Sequence, residues 1–320
     1  MRIQAVKLLA VLPAAILAAR QAADIRVDVD LVTVACSVAD RSGAPARGLK
    51  REDFRIRDNG QPLEIRNFWQ ESDLPLTVGL VIDASGSQSS FVKSHRDAVA
   101  QFFKQVIGER DRAFVVEVAR QSQLVSDFSS LAAELNASLG RIGTREGKQA
   151  PLLGPACRNQ EFPHTCGGTA LWHGLYYAAE KLKPVNGRKA MIVLSDGMDT
   201  GSDISLTNLI EMAQSAGVVV YSMKYPNPAR FFSVSAAIAQ AASHGLERLS
   251  RETGGLIFQN PGRKTGEVFS QIETDLRNIY VLGFVPPGDA HDGKFHKLEV
   301  KTGRSDLVVR SRAGYWAQVK

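Results

Sequence analysis

From Ile25 to Gln70 apolar and polar residues alternate over short runs, IRVDVDLVTVACSV and DFRIRDNGQPLEIRNFW, separated by the turn formers DRSGAPARG. Alternation with period two is the mark of a strand with one buried face. Asp58-Asn59-Gly60 lies between two such runs and predicts a hairpin, because Asn and Gly tolerate the left-handed backbone of a tight turn. At Leu74 the texture changes. LPLTVGLVIDASGS holds a nearly continuous apolar run, as expected of a strand covered on both faces in a parallel sheet. Phe91, Ala98, Val99, Phe102, Val106 and Ile107 then fall on one side of a helix. A strand at RAFVVEVA, an edge strand near QLVSDF and a helix over SLAAELNASLGRI come next.

A Gly- and Pro-rich loop from Gly143 to Gly168 leads into a helix from Thr169 to Lys183. The strand AMIVLSD, a helix over LTNLIEMAQSAG, the strand VVVYSM, a helix near LERLSRETGG, the short strand LIFQ and a helix over GEVFSQIETDLRN complete the alternation. Strands and helices in this order predict an α/β fold, a doubly wound and mostly parallel sheet flanked by helices, over residues 74–278. From Ile279 the pattern returns to strands at IYVLGFVP, KFHKLEV and LVVRSR. The expectation is a small β-rich subdomain built from both flanks, 24–73 and 279–320. There is no internal repeat and no low-complexity tract.

Composition changes this picture little, except at the N-terminus. The 320 residues are 44% hydrophobic, enough for a sizeable core. The first 23 residues, MRIQAVKLLAVLPAAILAARQAA, run from basic to apolar to small, the order of an export signal. The apolar run from Leu8 to Ala19 is short for a bilayer span. The formal charge of +6 includes Arg2, Lys7 and Arg20 from that segment, so +3 remains from Asp24 onward. A charge so small and dispersed does not point to nucleic acid. Export in turn affects the cysteines. Cys157 and Cys166 bracket CRNQEFPHTC, for which a local disulfide is the economical reading and two free thiols the alternative. Cys36 is expected to be a buried, unpaired strand residue.

The candidate chemistry sits at strand ends, where ligands bind in open α/β sheets. GLVID ends in Asp83 and MIVLSD in Asp196. If adjacent, two carboxylates repel by a few kcal/mol even at an effective dielectric near 20, so a positive group is expected between them. Ser85 and Ser87 follow Asp83 at a spacing that can turn both hydroxyls toward one point. Thr169 opens a predicted helix in GGTALW, with Gly167 and Gly168 allowing a sharp turn. Two carboxylates with neutral hydroxyls form an oxygen-only site suited to Mg²⁺ or Mn²⁺ and poorly to zinc.

With these residues in view, DASGS at 83–87, GGT ending at Thr169 and LSDGMD at 194–199 resemble the three parts of the metal-ion-dependent adhesion site of von Willebrand factor A (VWA) domains, whose fold is Rossmann-like. The resemblance covers roughly Leu74 to Asn278. The flanks, notably DFRIRDNGQPLEIRNFW and LEVKTGRSDLVVRSRAGYW, resemble the bacterial exported VWA-related family first described from acidobacterial genomes. The resemblance implies that Ser85 and Ser87 coordinate the metal directly, that Asp83 and Asp196 act mainly through bound waters, and that Thr169 acts either way. It implies too that an acidic side chain of a protein partner fills the open position. Asp199 and Thr200 either orient waters beside the site or serve turn and helix capping.

Other chemistry is weaker in the sequence. There is no phosphate-binding loop, no HExxH and no GxSxG, and none of the six histidines has metal-ligand spacing. A hydrolase or phosphatase, with His164 near the site, and a structural module without a working metal are the alternatives. His173 is expected to pack on its helix or face solvent. Tyr176-Tyr177 is expected to be packing, and Lys181, Lys183, Arg188 and Lys189 a solvated helix end and turn.

Overall fold

The apolar run at Leu74 forms β5 (Leu76–Asp83), and all eight of its residues are buried. Such burial requires neighbours on every side, and the computed structural model supplies them. It describes residues 31–71, 74–144, 149, 152, 168–226, 236–287 and 292–317, with the backbone alone for 236–243 and 263. β5 pairs in parallel with β6 (Arg112–Val118) and with β8 (Arg188–Ser195). The six-stranded sheet continues outward through β9 (Val218–Lys224) to β10 (Ile257–Gln259) on one side, and to β7 (Ser122–Ser129) on the other. Only β7 runs antiparallel, and it lies at the edge.

Helices cover both faces. Leu76, Val78, Leu80 and Ile82 pack with α1 (Val92–Val106), α2 (Ala132–Leu139) and α6 (Thr265–Arg277). Val81, Phe114, Val116 and Val118 pack with α3 (Leu171–Leu182), α4 (Leu206–Ser215) and α5 (Ala236–Thr253). The predicted doubly wound α/β fold is the fold observed. α5 starts well before the expected LERLSRETGG segment. Its first turns, AAIAQAAS, are rich in the strongest helix former but carry a single large apolar residue, Ile238, too few to make a periodicity visible.

The flanks form two antiparallel four-stranded sheets. One runs β13 (Leu307–Ser311), β1 (Val32–Asp40), β11 (Ile279–Phe284), β4 (Asn67–Glu71). The other runs β14 (Gly314–Trp316), β12 (Phe295–Thr302), β2 (Phe54–Asp58), β3 (Gln61–Leu63). Val34, Cys36, Phe54, Ile56, Tyr280, Leu282 and Tyr315 share their core, and Cys36 is a free thiol there. At the hairpin, Asn59 and Gly60 have φ of 47° and 85°, the pair of left-handed residues that a two-residue turn of this twist requires. Strand β14, only three residues long, had no sequence signal.

Arg188 corrects the expectation of a solvated turn. It is buried, and its guanidinium donates to the carbonyls of Leu74 and Leu276, joining the start of β5 to the end of α6. A charge that far from water needs such acceptors. The Cys157–Cys166 pair, His164 and the 1–23 segment lie outside the described residues. Among the described residues no helix is long and apolar enough to cross a membrane.

Candidate functional site

Strand order reverses at β5. From it the chain proceeds through α1 to β6 on one side, whereas β8 and β9 extend the sheet on the other. The helix after β5 covers one face and the helix after β8 the opposite face, so the loops leaving these adjacent strands diverge and open a crevice. Ligands of open α/β sheets bind at such a switch point. Asp83 closes β5, and Asp196 follows β8 directly. With Ile82 opposite Leu194 in the ladder, the two acids face the crevice from neighbouring strands.

Their environment is polar. Asp83 is fully buried; one oxygen accepts the Ser85 N–H at 2.9 Å and the other the Ser195 hydroxyl at 2.6 Å. Asp196, 1% exposed, accepts the Met198 N–H at 2.8 Å and the Gln88 side-chain amide at 3.2 Å. Among the described residues neither acid forms an ion pair with Lys, Arg or His. Burial pushes the Asp83 carboxyl up to about 6; the Ser195 and Ser85 hydrogen bonds pull it down, and Asp196 adds to the rise. A group held this way is costly to ionise at neutral pH, and a nearby cation would remove the cost.

The hydroxyls converge on the same corner. Ser85 and Ser87 bring their Oγ atoms within 3.1 Å of each other at a single 3₁₀ turn, Gly86–Gln88. Gln88, which sequence reasoning missed, is wholly buried beneath this turn and ties it to Asp196, while its Oε1 has no hydrogen-bond partner among the described residues. Nothing in a local polar run distinguishes a bridging Gln from a solvated one.

Thr169 is held between two loops. Its N–H donates to the Thr200 hydroxyl and its carbonyl accepts the N–H groups of Thr200 and Gly201, all at 3.0 Å, while Ala170 N–H reaches Ala119 O at 2.8 Å. Gly168 has φ +113°, and a Cβ there would lie 2.0 Å from Thr200 Oγ1, so only glycine fits beneath Thr169. Asp199 lies against the start of α3. Its Oδ1 accepts Trp172 N–H at 3.0 Å and the Ser202 hydroxyl at 2.6 Å, at the first turn of α3. Thr200, in turn, serves as the side-chain acceptor for Thr169.

Two carboxylates and the Ser85 and Ser87 hydroxyls give this corner oxygen donors of the kind a hard divalent cation takes, and the Thr169 backbone is bonded to the loop that follows Asp196. Among the described residues no three His, Cys, Asp or Glu side chains gather as a metal cage.

Just beyond the site, α1 buries His95 between Phe91 and Tyr225, with ring centroids 6.0 and 4.2 Å away and both imidazole nitrogens without a hydrogen-bond partner among the described residues. Burial lowers its pKa to about 4. The sign follows directly. Between that value and the ~6.5 of an unfolded chain, only the unfolded state binds the proton, so the stability present above pH ~6.5 is lost as pH falls toward 4. Comparison with His95→Leu isolates this effect from other titrations. Between pH 7 and pH 4 the native chain is expected to lose about 3 kcal/mol more than the variant, read from urea midpoints at each pH. Parallel pH profiles would show that this imidazole does not titrate with unfolding.

Fold and site together define the class: a doubly wound α/β protein with a carboxylate and hydroxyl corner at its switch point. No family model matches the chain, and no curated protein matches it. Solved structures do. An aerotolerance-related membrane protein from Bacteroides fragilis matches with 13% identity and TM-score 0.45, over 63% of this chain and 98% of its own. The conserved hypothetical protein BatB from Bacteroides thetaiotaomicron matches with 14% identity and TM-score 0.44, over 62% and 97%. The vWF domain of the type V pili tip protein Mfa5 from Porphyromonas gingivalis matches with 12% identity and TM-score 0.41, over 62% and 94%. At these values the likenesses assign no function.

Proposed function

We propose that this chain is an exported, metal-dependent protein-binding module of the VWA type, in which Mg²⁺ or Mn²⁺ at the switch point bridges to an acidic side chain of a partner protein. One observation carries the proposal. Asp83 and Asp196 are buried on adjacent strand ends without a cationic partner among the described residues, beside two hydroxyls 3.1 Å apart. In this reading a divalent ion supplies the missing charge. By the resemblance, Ser85 and Ser87 bind it directly, Asp83 and Asp196 hold its waters, Thr169 binds either way, and the partner's carboxylate completes it. The outcome is binding without bond-breaking. Export, with removal of residues 1–23, and membership of the exported bacterial VWA-related family rest on the N-terminal and flank sequences. A Cys157–Cys166 disulfide accords with such a compartment.

A metal titration of thermal stability tests the proposal. At free Mg²⁺ 100 times its dissociation constant, about 2.7 kcal/mol is added, with reversal by EDTA. A melting temperature indifferent to millimolar Mg²⁺ and Mn²⁺ would remove the metal from the mechanism.

A further inference from the structure

The loop that starts at Asp196 reaches Asp203 on the rim of a second feature. A solvent-open cavity of about 350 Å³ is lined by His173, Tyr176, Tyr177, Asp203, Ile204 and Asn208. The loop is fastened to α3 here, because Ser202 Oγ accepts His173 N–H at 3.0 Å and His173 Nε2 pairs with the Asp203 carboxylate. Tyr176 and Tyr177 meet edge to face with ring centroids 5.2 Å apart, and His173 stacks on Tyr177 at 6.1 Å. The two tyrosines, expected as packing, are half-buried and line this open cavity.

We propose that this cavity is a subsite for an arginine side chain of the protein partner. Aromatic faces and a carboxylate at one opening are what a planar guanidinium recognises, by stacking and by paired hydrogen bonds. The local charge favours a cation. The Asp203 side chain is 87% exposed, and Asp203 and Glu180 both lie close enough to hold the Tyr177 hydroxyl's proton on, after burial, which contributes most. Among the described residues no Lys or Arg lines the cavity. Lys181, the nearest in sequence, is engaged elsewhere, paired with Asp127 at 2.8 Å and lying over the Phe128 ring at 4.6 Å. Use of the subsite in partner recognition rests on the metal-face proposal above, whereas its affinity for a guanidinium does not. If both hold, the partner presents an acidic and a basic residue together.

The test uses the full chain in EDTA, with ¹³C-labelled tyrosine observed by NMR. N-acetyl-arginine amide is the probe, with N-acetyl-citrulline amide as its uncharged isostere and methyl glucoside as a neutral sugar. Tyr176→Phe and Tyr177→Phe assign the two resonances. Both are expected to shift with arginine at a dissociation constant of about 1–10 mM, and neither with the other probes. Asp203→Asn, at an exposed position, should weaken arginine binding about threefold, and Tyr177→Leu should abolish it. Equal shifts with citrulline or the sugar, no shift with arginine, or unchanged affinity in Asp203→Asn would overturn the proposal. Because metal is absent throughout, failure here leaves the Mg²⁺ response untouched, and the converse holds too.

Discussion

Ser87→Ala is expected to abolish Mg²⁺-dependent stabilisation while leaving the metal-free protein as stable as before. Among the described residues the Ser87 hydroxyl hydrogen-bonds to Ser85 Oγ, and the residue is partly exposed, so its removal costs within about 0.5 kcal/mol without metal. With metal it removes a directly bound ligand. Loss of groups acting only through other ligands already costs roughly 10–100-fold in affinity, so a direct ligand should cost at least that. Asp83→Asn makes the complementary case. It deletes a buried charge that is costly to ionise and keeps one oxygen for Ser85 N–H, but it replaces the oxygen that accepts the Ser195 hydroxyl with an amide N–H, so that hydroxyl must turn from donor to acceptor. These opposing effects are each of the order of 1–3 kcal/mol, so metal-free stability changes little while the Mg²⁺ response is lost. Isothermal titration and melting curves with and without EDTA measure both. A Ser87→Ala protein that binds Mg²⁺ like the parent would exclude this corner as the metal site.

The largest loss of stability is expected at Asp275 on α6. One of its oxygens accepts the Tyr221 hydroxyl of β9 at 2.6 Å, and the other pairs with Arg310 of β13. Tyr221 is 1% exposed, so truncation strands a buried hydroxyl and a largely buried guanidinium together. Breaking a buried pair by removing one partner costs about 3–5 kcal/mol. Asp275→Ala should therefore lower stability by that amount in urea unfolding. Asp275→Asn, which can still accept from Tyr221, should lose less. The contact also joins the α/β layers to the flanking sheets, so unfolding of both is expected to shift together. A loss below about 1 kcal/mol would mean that water replaces the lost partners.

Much of the α/β layer was legible because its signals are local. A strand buried on two faces must be apolar throughout, as in LTVGLVID, and an amphipathic helix must repeat at three and four, as in α1. Asn59-Gly60 announced its turn through backbone freedom alone. The candidate site was legible for a related reason. Strand ends and the residues just after them are adjacent in sequence, so Asp83, Ser85 and Ser87 could be read as one group, and Thr169 and Asp196 by their place at a helix start and a strand end. Residues that act across the fold gave no such sign. His95 falls among the buried positions of α1 but lacks the apolar side chain that marks such a face, Gln88 resembles any loop amide, and Arg188 looked solvated because its acceptors, Leu74 O and Leu276 O, are distant in sequence.

The amino-acid sequence by itself determined which segments form strands and helices, where two acids end adjacent-looking strands, and which hydroxyls follow them. Only the tertiary structure decided that β1 pairs with β11 and β13, that Tyr176 and Tyr177 line a cavity with Asp203, and that Asp275 joins β9 to β13. The reason is physical. Periodicity and backbone preference act over a few residues, whereas partners separated by hundreds of residues are selected only when all apolar faces are buried and all buried polar groups satisfied at once.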